Sequence, residues 1–419
     1  MKRKILICSV ILFLLVTTLA GCRSAGGNAD NEYSVGVVKA SDGTDGYATV
    51  YVPAGRDAKV LLLADTQLDP TEKYKILGSA NELTLIFLEK FLDATAPDLV
   101  IIAGDVVMTI LLNNWSYFCQ IADIFEQKQV PWTFVFGNHD CEKRYVSESS
   151  DTESRFAQMS KPAFIAAVQG KYEYCIIYSG ECEEGYGNHI VNVRDTHGKL
   201  LTTFCNLDCV YNDDEGYSHV ITKAQTDFYV NAIETLSKSE GRTVPSIVVT
   251  HVPLPQVYTG YNEAKEGKNG SKYFYGEMLE TDVKSYKGQS TFFDALVRLG
   301  STKAVFFGHH HSNDLSVEYQ GIRLSFIPHS GMSHEYRVKH SREYKLFWPS
   351  ETVFDFTDVD VYGDHRGGVM VSAGQEGYSF APIHAAEVIP DYAEWAINYD
   401  EVAQAIVQKR GEKHVVRGK

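Results

Sequence analysis

The chain has 419 residues, of which 44% are hydrophobic and 22% are charged. A chain of this length and composition buries a sizeable core, so the sequence excludes an intrinsically disordered protein and indicates a globular one. Its formal net charge of −15 repels polyanions, which excludes nucleic acid as an expected partner.

The first 21 residues have the three parts of a signal peptide. Lys2, Arg3 and Lys4 precede an apolar run from Ile5 to Val16, and small residues follow it. The apolar run is too short for a comfortable membrane span. Removing this segment takes away three positive charges and changes the net charge from −15 to −18.

The segment ends in Leu19-Ala20-Gly21-Cys22, which resembles the lipobox of bacterial lipoproteins. The resemblance implies that Cys22 carries lipid and becomes the first residue of the mature chain; an ordinary signal peptide cut nearby is the alternative. Residues 23–32 are rich in Gly, Ser, Ala and Asn, which suits a flexible tether. The sequence therefore predicts an extracytoplasmic protein that a lipid anchor holds at the cell membrane.

Six further cysteines follow the lipobox. Export permits disulfides, but six cysteines allow fifteen pairings, and buried or free thiols are an equal alternative. No spacing typical of a structural zinc site occurs among them. They are Cys119, Cys141, Cys175, Cys182, Cys205 and Cys209.

Strand and helix signals alternate along the rest of the chain. Residues 47–52 and 59–64 are predicted as strands, and residues 72–95 as a helix. The pattern predicts a layered α/β domain whose central strands are buried on both faces. Further apolar runs and helical segments are at 99–103, 117–127, 132–136, 222–236, 247–250 and 304–307.

Two polar segments, 142–220 and 255–290, are weakly periodic and predicted to form long loops and edge hairpins over an active-site face. The stretch after about residue 348 offers short strands and a helix around 392–409. The predicted domains are a signal peptide at 1–21, a lipidated N-terminus and tether at 22–45, a catalytic domain at 46–345 and a C-terminal extension packed on it at 346–419.

Five apolar runs end in side chains that bind metals. In α/β sheets ligands gather at the carboxyl ends of strands, so the five endings can converge on one crevice. Each ending alone is a weak signal, because Asp or His after a strand more often forms a turn. The endings are Asp65, Gly104-Asp105, Gly137-Asn138-His139-Asp140, His251 and Gly308-His309-His310-His311.

In this order the endings resemble the signature of calcineurin-like metallophosphoesterases over most of residues 59–315. The phrases at 216–219, 251–255 and 308–314 are similar to the branch grouped with purple acid phosphatases. The resemblance implies a layered α/β/β/α sandwich and a metal-dependent hydrolase of phosphate esters. Two ions about 3.5–4 Å apart would supply an activated hydroxide and a clamp on phosphate.

The resemblance also implies the ligands. Asp105 would bridge both ions. Mixed nitrogen and oxygen donors favour iron, manganese or zinc over magnesium or calcium. The other ligands would be Asp65 and His311 in the first site and Asn138, His251 and His309 in the second.

His139 is not a ligand in the family; the resemblance implies that it faces the leaving-group oxygen and donates a proton there. Asp140 is predicted to orient the His139 ring. His310 is predicted to provide only backbone context, and the loop with His329 and His334 either reaches the site or is a polar surface loop. The remaining histidines are predicted at the surface: His189, His197, His219, His340, His365, His384 and His414.

One position departs from the family pattern. The family's first motif usually reads Asp-x-His, whereas this chain has Asp65-Thr66-Gln67. Purple acid phosphatases also lack that histidine but supply a tyrosine three residues after the bridging aspartate, where this chain has Met108. The first metal site therefore loses a strong ligand, unless Gln67 points into the cleft and its amide oxygen, or a water, replaces it.

The sequence predicts a cell-surface phosphatase that acts on small phosphate monoesters. A phosphodiesterase acting on cyclic nucleotides, glycerophosphodiesters or lipid headgroups is the second candidate, because the motifs set the metal chemistry and not the leaving group. The third is a catalytically weakened lipoprotein that captures a ligand; Gln67 favours it, whereas His139 and Asp105 argue against it.

Overall fold

The computed structural model describes residues 36–43, 45–68, 80–108, 114–140, 160–213, 216–219, 221–281, 291–332, 338–339, 360–361, 365–374 and 377–396. All of these belong to one compact unit, Val35–Lys419. The predicted signal peptide and the predicted lipidation site Cys22 lie outside the described residues.

The helices and strands follow one another in an alternating order. In chain order they are β1 (Gly36–Val38), β2 (Ala48–Val52), β3 (Ala58–Leu63), α1 (Ala80–Thr95), β4 (Leu99–Ile102), α2 (Asn114–Gln127), β5 (Trp132–Phe134), α3 (Lys161–Lys171), β6 (His189–Asp195), β7 (Leu200–Leu207), β8 (Val210–Asp213), β9 (Gly216–His219), α4 (Lys223–Glu240), β10 (Ser246–Thr250), α5 (Gln256–Glu266), β11 (Lys272–Tyr275), α6 (Phe292–Leu299), β12 (Thr302–Phe307), β13 (Ser316–Tyr319), β14 (Ile322–Phe326), β15 (Val338–Lys339), β16 (Asp360–Val361), β17 (Gly367–Ala373), β18 (Tyr378–His384), α7 (Ala385–Val388) and α8 (Tyr392–Trp395).

Two sheets form the body of the unit. The smaller has the order β18-β17-β3-β4-β5, and its strands β3, β4 and β5 run parallel. The larger has the order β1-β2-β6-β7-β10-β12-β14-β13-β11, with parallel pairing from β7 through β10 and β12 to β14. The carboxyl ends of parallel strands therefore lie at one edge of each sheet, as ligand sites in α/β folds require.

Side chains that alternate along the strands separate into three cores. Along β3, Val60 and Leu62 belong to a cluster that joins the two sheets, whereas Leu61 and Leu63 pack with the helices on the other face. Along β12, Phe306 faces the shared core and neighbouring residues face the helices α4 and α6. This period-2 alternation builds four layers, helix, sheet, sheet and helix, and confirms the predicted α/β/β/α sandwich.

Two segments contain more regular structure than the predicted long loops and edge hairpins. Residues 189–207 form β6 and β7 inside the larger sheet, and β7 is buried along its whole length. Residues 256–275 include α5 and β11. The polar residues that hid β6 and β7 are paired across the strands: the hydroxyl of Thr203 donates to Oδ1 of Asn192 at 2.8 Å.

The stretch after residue 348 contributes to the smaller sheet. β17 pairs antiparallel with β3, and β18 pairs with β17. A short helix, α8, begins at Tyr392 as predicted and is described to Trp395; residues 397–409 lie outside the described part of the chain. Within that part, no helix is long and apolar enough to cross a membrane.

The structure describes five of the six cysteines that follow the lipobox. All five are free thiols. Burial raises the pKa of the Cys175 thiol and that of Cys205, so both stay protonated. Cys141 lies outside the described residues.

Candidate metal centre

Five loops bring the predicted ligands together at the strand ends. Asp65, Asp105 and the turn 138–140 follow the parallel strands β3, β4 and β5 of the smaller sheet. His251 and the loop 309–311 follow the parallel strands β10 and β12 of the larger sheet. The crevice therefore lies where the carboxyl ends of both sheets meet.

Main-chain hydrogen bonds hold these loops to one another. The N–H of Asp65 donates to the carbonyl of Gly104 at 3.1 Å, and the N–H of Gly308 donates to the carbonyl of His251 at 3.0 Å. A Cβ on Gly104 would lie 2.6 Å from Nδ1 of His251, and one on Gly308 would overlap Oδ2 of Asp65. Glycine is needed before these ligands because no side chain fits between the loops.

The backbone of the crevice is strained. Eight non-glycine residues have a positive φ among the described ranges, and four of the eight lie here. Each such conformation costs about 1–3 kcal/mol and persists only where the surrounding structure enforces it, which is typical of functional sites. The four are Asp65 (54°), Gln67 (41°), Asp105 (50°) and His309 (71°).

One compact group of donor atoms contains Asn138, His251 and His309. Oδ1 of Asn138 lies 2.9 Å from Nδ1 of His309 and 3.1 Å from Nε2 of His251. Oδ2 of Asp105 lies 3.2 Å from the same Nε2. Neighbouring ligands on an ion with bonds of about 2.1 Å are about 3.0–3.4 Å apart, so the separations fit a coordination sphere.

A main-chain carbonyl fixes the orientation of the His251 ring. Its Nδ1 lies 2.8 Å from the carbonyl oxygen of Ala103, to which it donates a hydrogen bond. Nε2, the atom that faces Asn138 and Asp105, is therefore the nitrogen that offers a lone pair once the ring loses its second proton. Sequence reasoning did not identify Ala103, because a main-chain carbonyl leaves no signal in the residue type.

A second group contains Asp65, Asp105 and His311. One donor atom from each lies within 4.8 Å of the others, and Nε2 of His311 is 3.5 Å from Oδ1 of Asp65. Asp105 thus belongs to both groups. The structure therefore brings together all the residues proposed as ligands, with one carboxylate between the two sets.

Gln67 points into this second group, so the alternative in which it faces away is wrong. Its Nε2 lies 3.1 Å from Oδ2 of Asp105 and 3.2 Å from Nε2 of His311. Its Oε1 is buried and has no hydrogen-bond partner. The two ends of an amide have nearly the same shape, so half a turn places the oxygen between Asp105 and His311.

The unpaired oxygen is a test of whether this centre suits a metal. A buried acceptor without a partner costs about 1–3 kcal/mol. A cation bound among Asp65, Asp105 and His311 removes that cost if the amide oxygen turns toward it. The donor set and the unpaired amide both fit a metal ion.

Sequence comparison decides the family. The family described as calcineurin-like phosphoesterase matches residues 58–313, more than half of the 419-residue chain. The chain is a calcineurin-like metallophosphoesterase. Members of this family typically hold two metals, and the two ligand groups that share Asp105 agree with that.

Two curated relatives of this metallophosphoesterase are plant proteins. It is 24% identical over 276 residues to the probable inactive purple acid phosphatase 14 of Arabidopsis thaliana, a match that covers 59% of this chain and 62% of that protein. It is 22% identical over 265 residues to the probable inactive purple acid phosphatase 29 of the same plant, covering 58% and 62%. The chain thus spans about 62% of the length of these relatives.

Solved structures include similar chains at low identity. GAP50, the anchor in the inner membrane complex of Plasmodium, is 11% identical with a TM-score of 0.44, covering 80% of this chain and 86% of that one. A purple acid phosphatase from yellow lupin (Lupinus luteus) is 13% identical with a TM-score of 0.40, covering 82% and 54%.

Charge in the metallophosphoesterase crevice is balanced by protons before a metal binds. Burial alone would raise the pKa of Asp105, but His251 and His139 hold it well below its usual range. Burial alone would lower the pKa of His251, and the Asp105 carboxylate instead raises it to about 10. Burial opposes the charge on His311 as well, yet Asp65 raises its pKa to about 9. Metal binding therefore requires release of these protons.

His139 lies beside the Asp105 carboxylate, which both donor groups share, but its side chain is more open to solvent. Its N–H donates to Oδ1 of Asp105 at 2.8 Å, and its ring Nε2 is 4.0 Å from Oδ2. The side chain is 27% exposed, whereas that of Asp105 is 1% exposed. Among the described residues, His139 belongs to neither ligand group, which agrees with contact to a bound substrate rather than to an ion.

Asp140 holds the backbone of the turn. Its Oδ2 accepts from the N–H of Gly137 at 2.8 Å, and its Oδ1 accepts from the N–H of Val107 at 3.1 Å. Burial and the nearby charge of Asp105 raise the pKa of Asp140 to about 6. These contacts position Asn138 and His139 against the loop after β4, and direct orientation of the His139 ring by Asp140 stays a prediction.

Two further histidines pack on or within the loop 309–311. His329 stacks on His311 with ring centroids 5.7 Å apart and planes at 16°, so its loop does reach the site. His310 is buried, lies 3.0 Å from the hydroxyl of Tyr258 and stacks on Phe326, so its side chain packs as well as its backbone. His334 lies outside the described residues.

The prediction that His189 lies at the surface is wrong. It is fully buried, with its Nε2 2.7 Å from the hydroxyl of Thr133 and its Nδ1 2.7 Å from the carbonyl of Gly187. The short apolar run that follows it was the signal that could have placed it in a strand. His365 and His384, also predicted at the surface, lie together near Asp314.

Proposed function

We propose that this metallophosphoesterase hydrolyses monoesters of phosphate with small organic alcohols at two metal ions that share Asp105. The observation that carries the proposal is the membership of Asp105 in both ligand groups, with His139 at the solvent side of the same carboxylate.

The chain's side chains divide between the two ions. Asp65, His311 and Gln67 would join Asp105 in the first site. Iron, manganese or zinc suits this mixture of nitrogen and oxygen donors. When bound, such a pair supplies a nucleophile at neutral pH and neutralises the charge on phosphate. The second site would consist of Asp105, Asn138, His251 and His309.

His139 supplies the proton. Its backbone is anchored on Asp105, and its partly exposed ring can reach an ester oxygen at the mouth of the crevice. Protonation of the leaving alkoxide by an imidazolium lowers the barrier to its departure. Asp140 keeps the turn that carries this ring in place through Gly137 and Val107.

We choose a monoester as the substrate because the relatives carry the name of phosphatases, although both are called probable inactive. The test uses the protein loaded in turn with manganese, zinc and iron, on matched p-nitrophenyl monoester and bis-p-nitrophenyl diester substrates. We expect faster turnover of the monoester, with loss of turnover in chelator and in His139→Ala. Preference for the diester would overturn the proposal in favour of a phosphodiesterase.

A ligand-binding protein of weak activity is the second candidate. Gln67 replaces a histidine that the family usually has, and the relatives in Arabidopsis thaliana are named probable inactive phosphatases. This candidate predicts that the metal-loaded protein binds phosphate, as measured by calorimetry, but turns over neither ester. The same substrate panel therefore separates the two.

The cellular location is part of the proposal. The lipobox-like ending at Cys22 supports an outward-facing lipoprotein, and the net charge of −15 argues against nucleic acid as a partner. Cys22→Ser should release the protein from the membrane fraction. A wild-type protein that enters the aqueous phase in detergent partitioning would overturn the anchor.

A further inference from the structure

A third cluster of metal-binding side chains lies apart from the centre described above. A carboxylate oxygen of Asp314, a ring nitrogen of His365 and a ring nitrogen of His384 all lie within 4.8 Å of one another. None of the three residues belongs to either group that contains Asp105. The cluster therefore needs its own explanation.

Three separate segments supply the cluster. Asp314 follows the loop that carries His309 and His311, His365 precedes β17, and His384 is the last residue of β18. Asp314 is buried, whereas both histidines are partly exposed. The cluster thus joins the β17–β18 hairpin to the loop that carries His309 and His311, and its two histidines are partly open to water.

Hydrogen bonds orient two members of the cluster. Oδ1 of Asp314 accepts from the N–H of Glu277 at 2.7 Å, while Oδ2 lies 3.0 Å from Nδ1 of His365. Nδ1 of His384 lies 3.1 Å from the carbonyl oxygen of His365 and donates to it, which leaves the lone pair on Nε2. A main-chain acceptor behind a histidine is the usual support of a metal ligand.

An ion pair between Asp314 and His365 accounts for only part of this arrangement. It requires one imidazole, whereas the second ring, of His384, lies with its centroid 4.8 Å from that of His365 and its plane at 75°. Two imidazoles and one carboxylate are a common protein donor set for zinc, with water in the fourth position.

We propose that Asp314, His365 and His384 bind a third divalent cation of the zinc type. The cation ties the β17–β18 hairpin to the loop of His309 and His311. Two hydrogen bonds already join β17 to the neighbouring loop of His329. These are the hydroxyl of Ser330, which donates to the carbonyl of Gly367 at 2.7 Å, and the N–H of Gly367, which donates to the carbonyl of His329 at 3.2 Å. Its role is to hold the loop, because no ligand is shared with the Asp105 centre.

The test counts bound zinc in the full chain. Protein is saturated with zinc, freed of excess by gel filtration and measured by elemental mass spectrometry. His365→Gln and His384→Gln should each bind one equivalent less than the wild type. His197→Gln is the matched control, because His197 is exposed on the β6–β7 turn and should leave the zinc content unchanged.

A second arm separates this site from the proposed catalytic pair. In an Asp105→Ala background the third cation should remain, and adding His384→Gln should remove one further equivalent. Zinc should also raise the melting temperature of Asp105→Ala more than that of the double variant. Equal zinc content and equal melting shifts in the single and double variants would overturn the third site, whatever becomes of the phosphatase activity.

Discussion

The crevice and the start of β6 each bury a histidine completely, with opposite results. Burial by itself lowers the pKa of both His251 and His189. His251 faces the Asp105 carboxylate and reaches a pKa of about 10, whereas the two ring nitrogens of His189 face uncharged oxygens, a hydroxyl and a carbonyl, and its pKa falls to about 4. A carboxylate neighbour, not depth, decides which buried imidazole holds a positive charge.

The substitution of Asp105, the neighbour that charges His251, has the largest expected effect. Asp105→Ala takes the shared oxygen from both ligand groups, so we expect loss of both catalytic metals and of turnover together. Elemental analysis and a monoester assay measure the two losses. Asp105→Asn is the matched control, since its side chain keeps the size and one oxygen of Asp105. Full metal content and full activity in Asp105→Ala would contradict the assignment of Asp105 as the shared ligand.

His139 tests a group next to Asp105 that is not a ligand. His139→Ala should retain both catalytic metals but lower kcat by about 10²–10⁴, the usual cost of removing a proton donor. Metal content and kcat are measured on the same preparation. A loss of metal equal to that in Asp105→Ala would show that His139 is a ligand instead.

The second buried histidine, His189, is neutral in the fold, and its effect on stability depends on pH. As the pH falls, its unfolded form takes up a proton near pH 6.5, before the folded form does so near pH 4. The contribution of His189 to the free energy of unfolding is therefore present above pH 6.5 and lost toward pH 4, by about 3 kcal/mol at most.

His189→Gln has no such group, so its stability should fall less on acidification than that of the wild type. Urea unfolding at pH 7 and at pH 4.5 gives the difference. A stability gap between the two proteins that stays constant with pH would show that folding does not lower the pKa of His189.

Gln67 gives the smallest expected effect. An imidazole is a stronger donor than an amide oxygen to a transition metal, so Gln67→His should tighten the first metal site about tenfold, or about 1.4 kcal/mol. Calorimetric titration with manganese or zinc should show two unequal sites in the wild type that become more alike in the variant.

The control for this change is Gln67→Met, which keeps the length of the side chain but lacks the amide oxygen and should weaken the first site. Two equally tight sites in the wild type, unchanged by either substitution, would end the idea of an asymmetric pair. Met108 stands where purple acid phosphatases have a tyrosine, so we expect no phenolate-to-iron charge transfer and a colourless ferric protein.

The sequence predicted the crevice because the chemistry and the periodicity coincide there. Apolar runs that end in Asp65, Asp105 and His251 fix both the strand and the position of the ligand at its end. The inward direction of Gln67 was left open, because it depends on a backbone with φ of 41° that no residue type announces.

The sequence did not predict the structural elements and clusters that are held by polar residues from different segments. β7 contains Thr203, which is buried against Asn192 of β6, so the local pattern resembled a polar loop. His365 and His384 meet Asp314 only after the hairpin has folded back on the sheet. Contacts between residues so far apart in the chain leave no local spacing to read.

The pairing of β17 with β3 also has a consequence for how the protein is made. β3 carries Asp65 at its end, yet one edge of this strand stays unpaired until residues 369–373 have emerged from the ribosome. An open edge beside a hydrophobic strand invites pairing with other chains. The smaller sheet therefore cannot close along this edge until the last strands of the chain are available, and pairing errors with other chains are favoured up to that point.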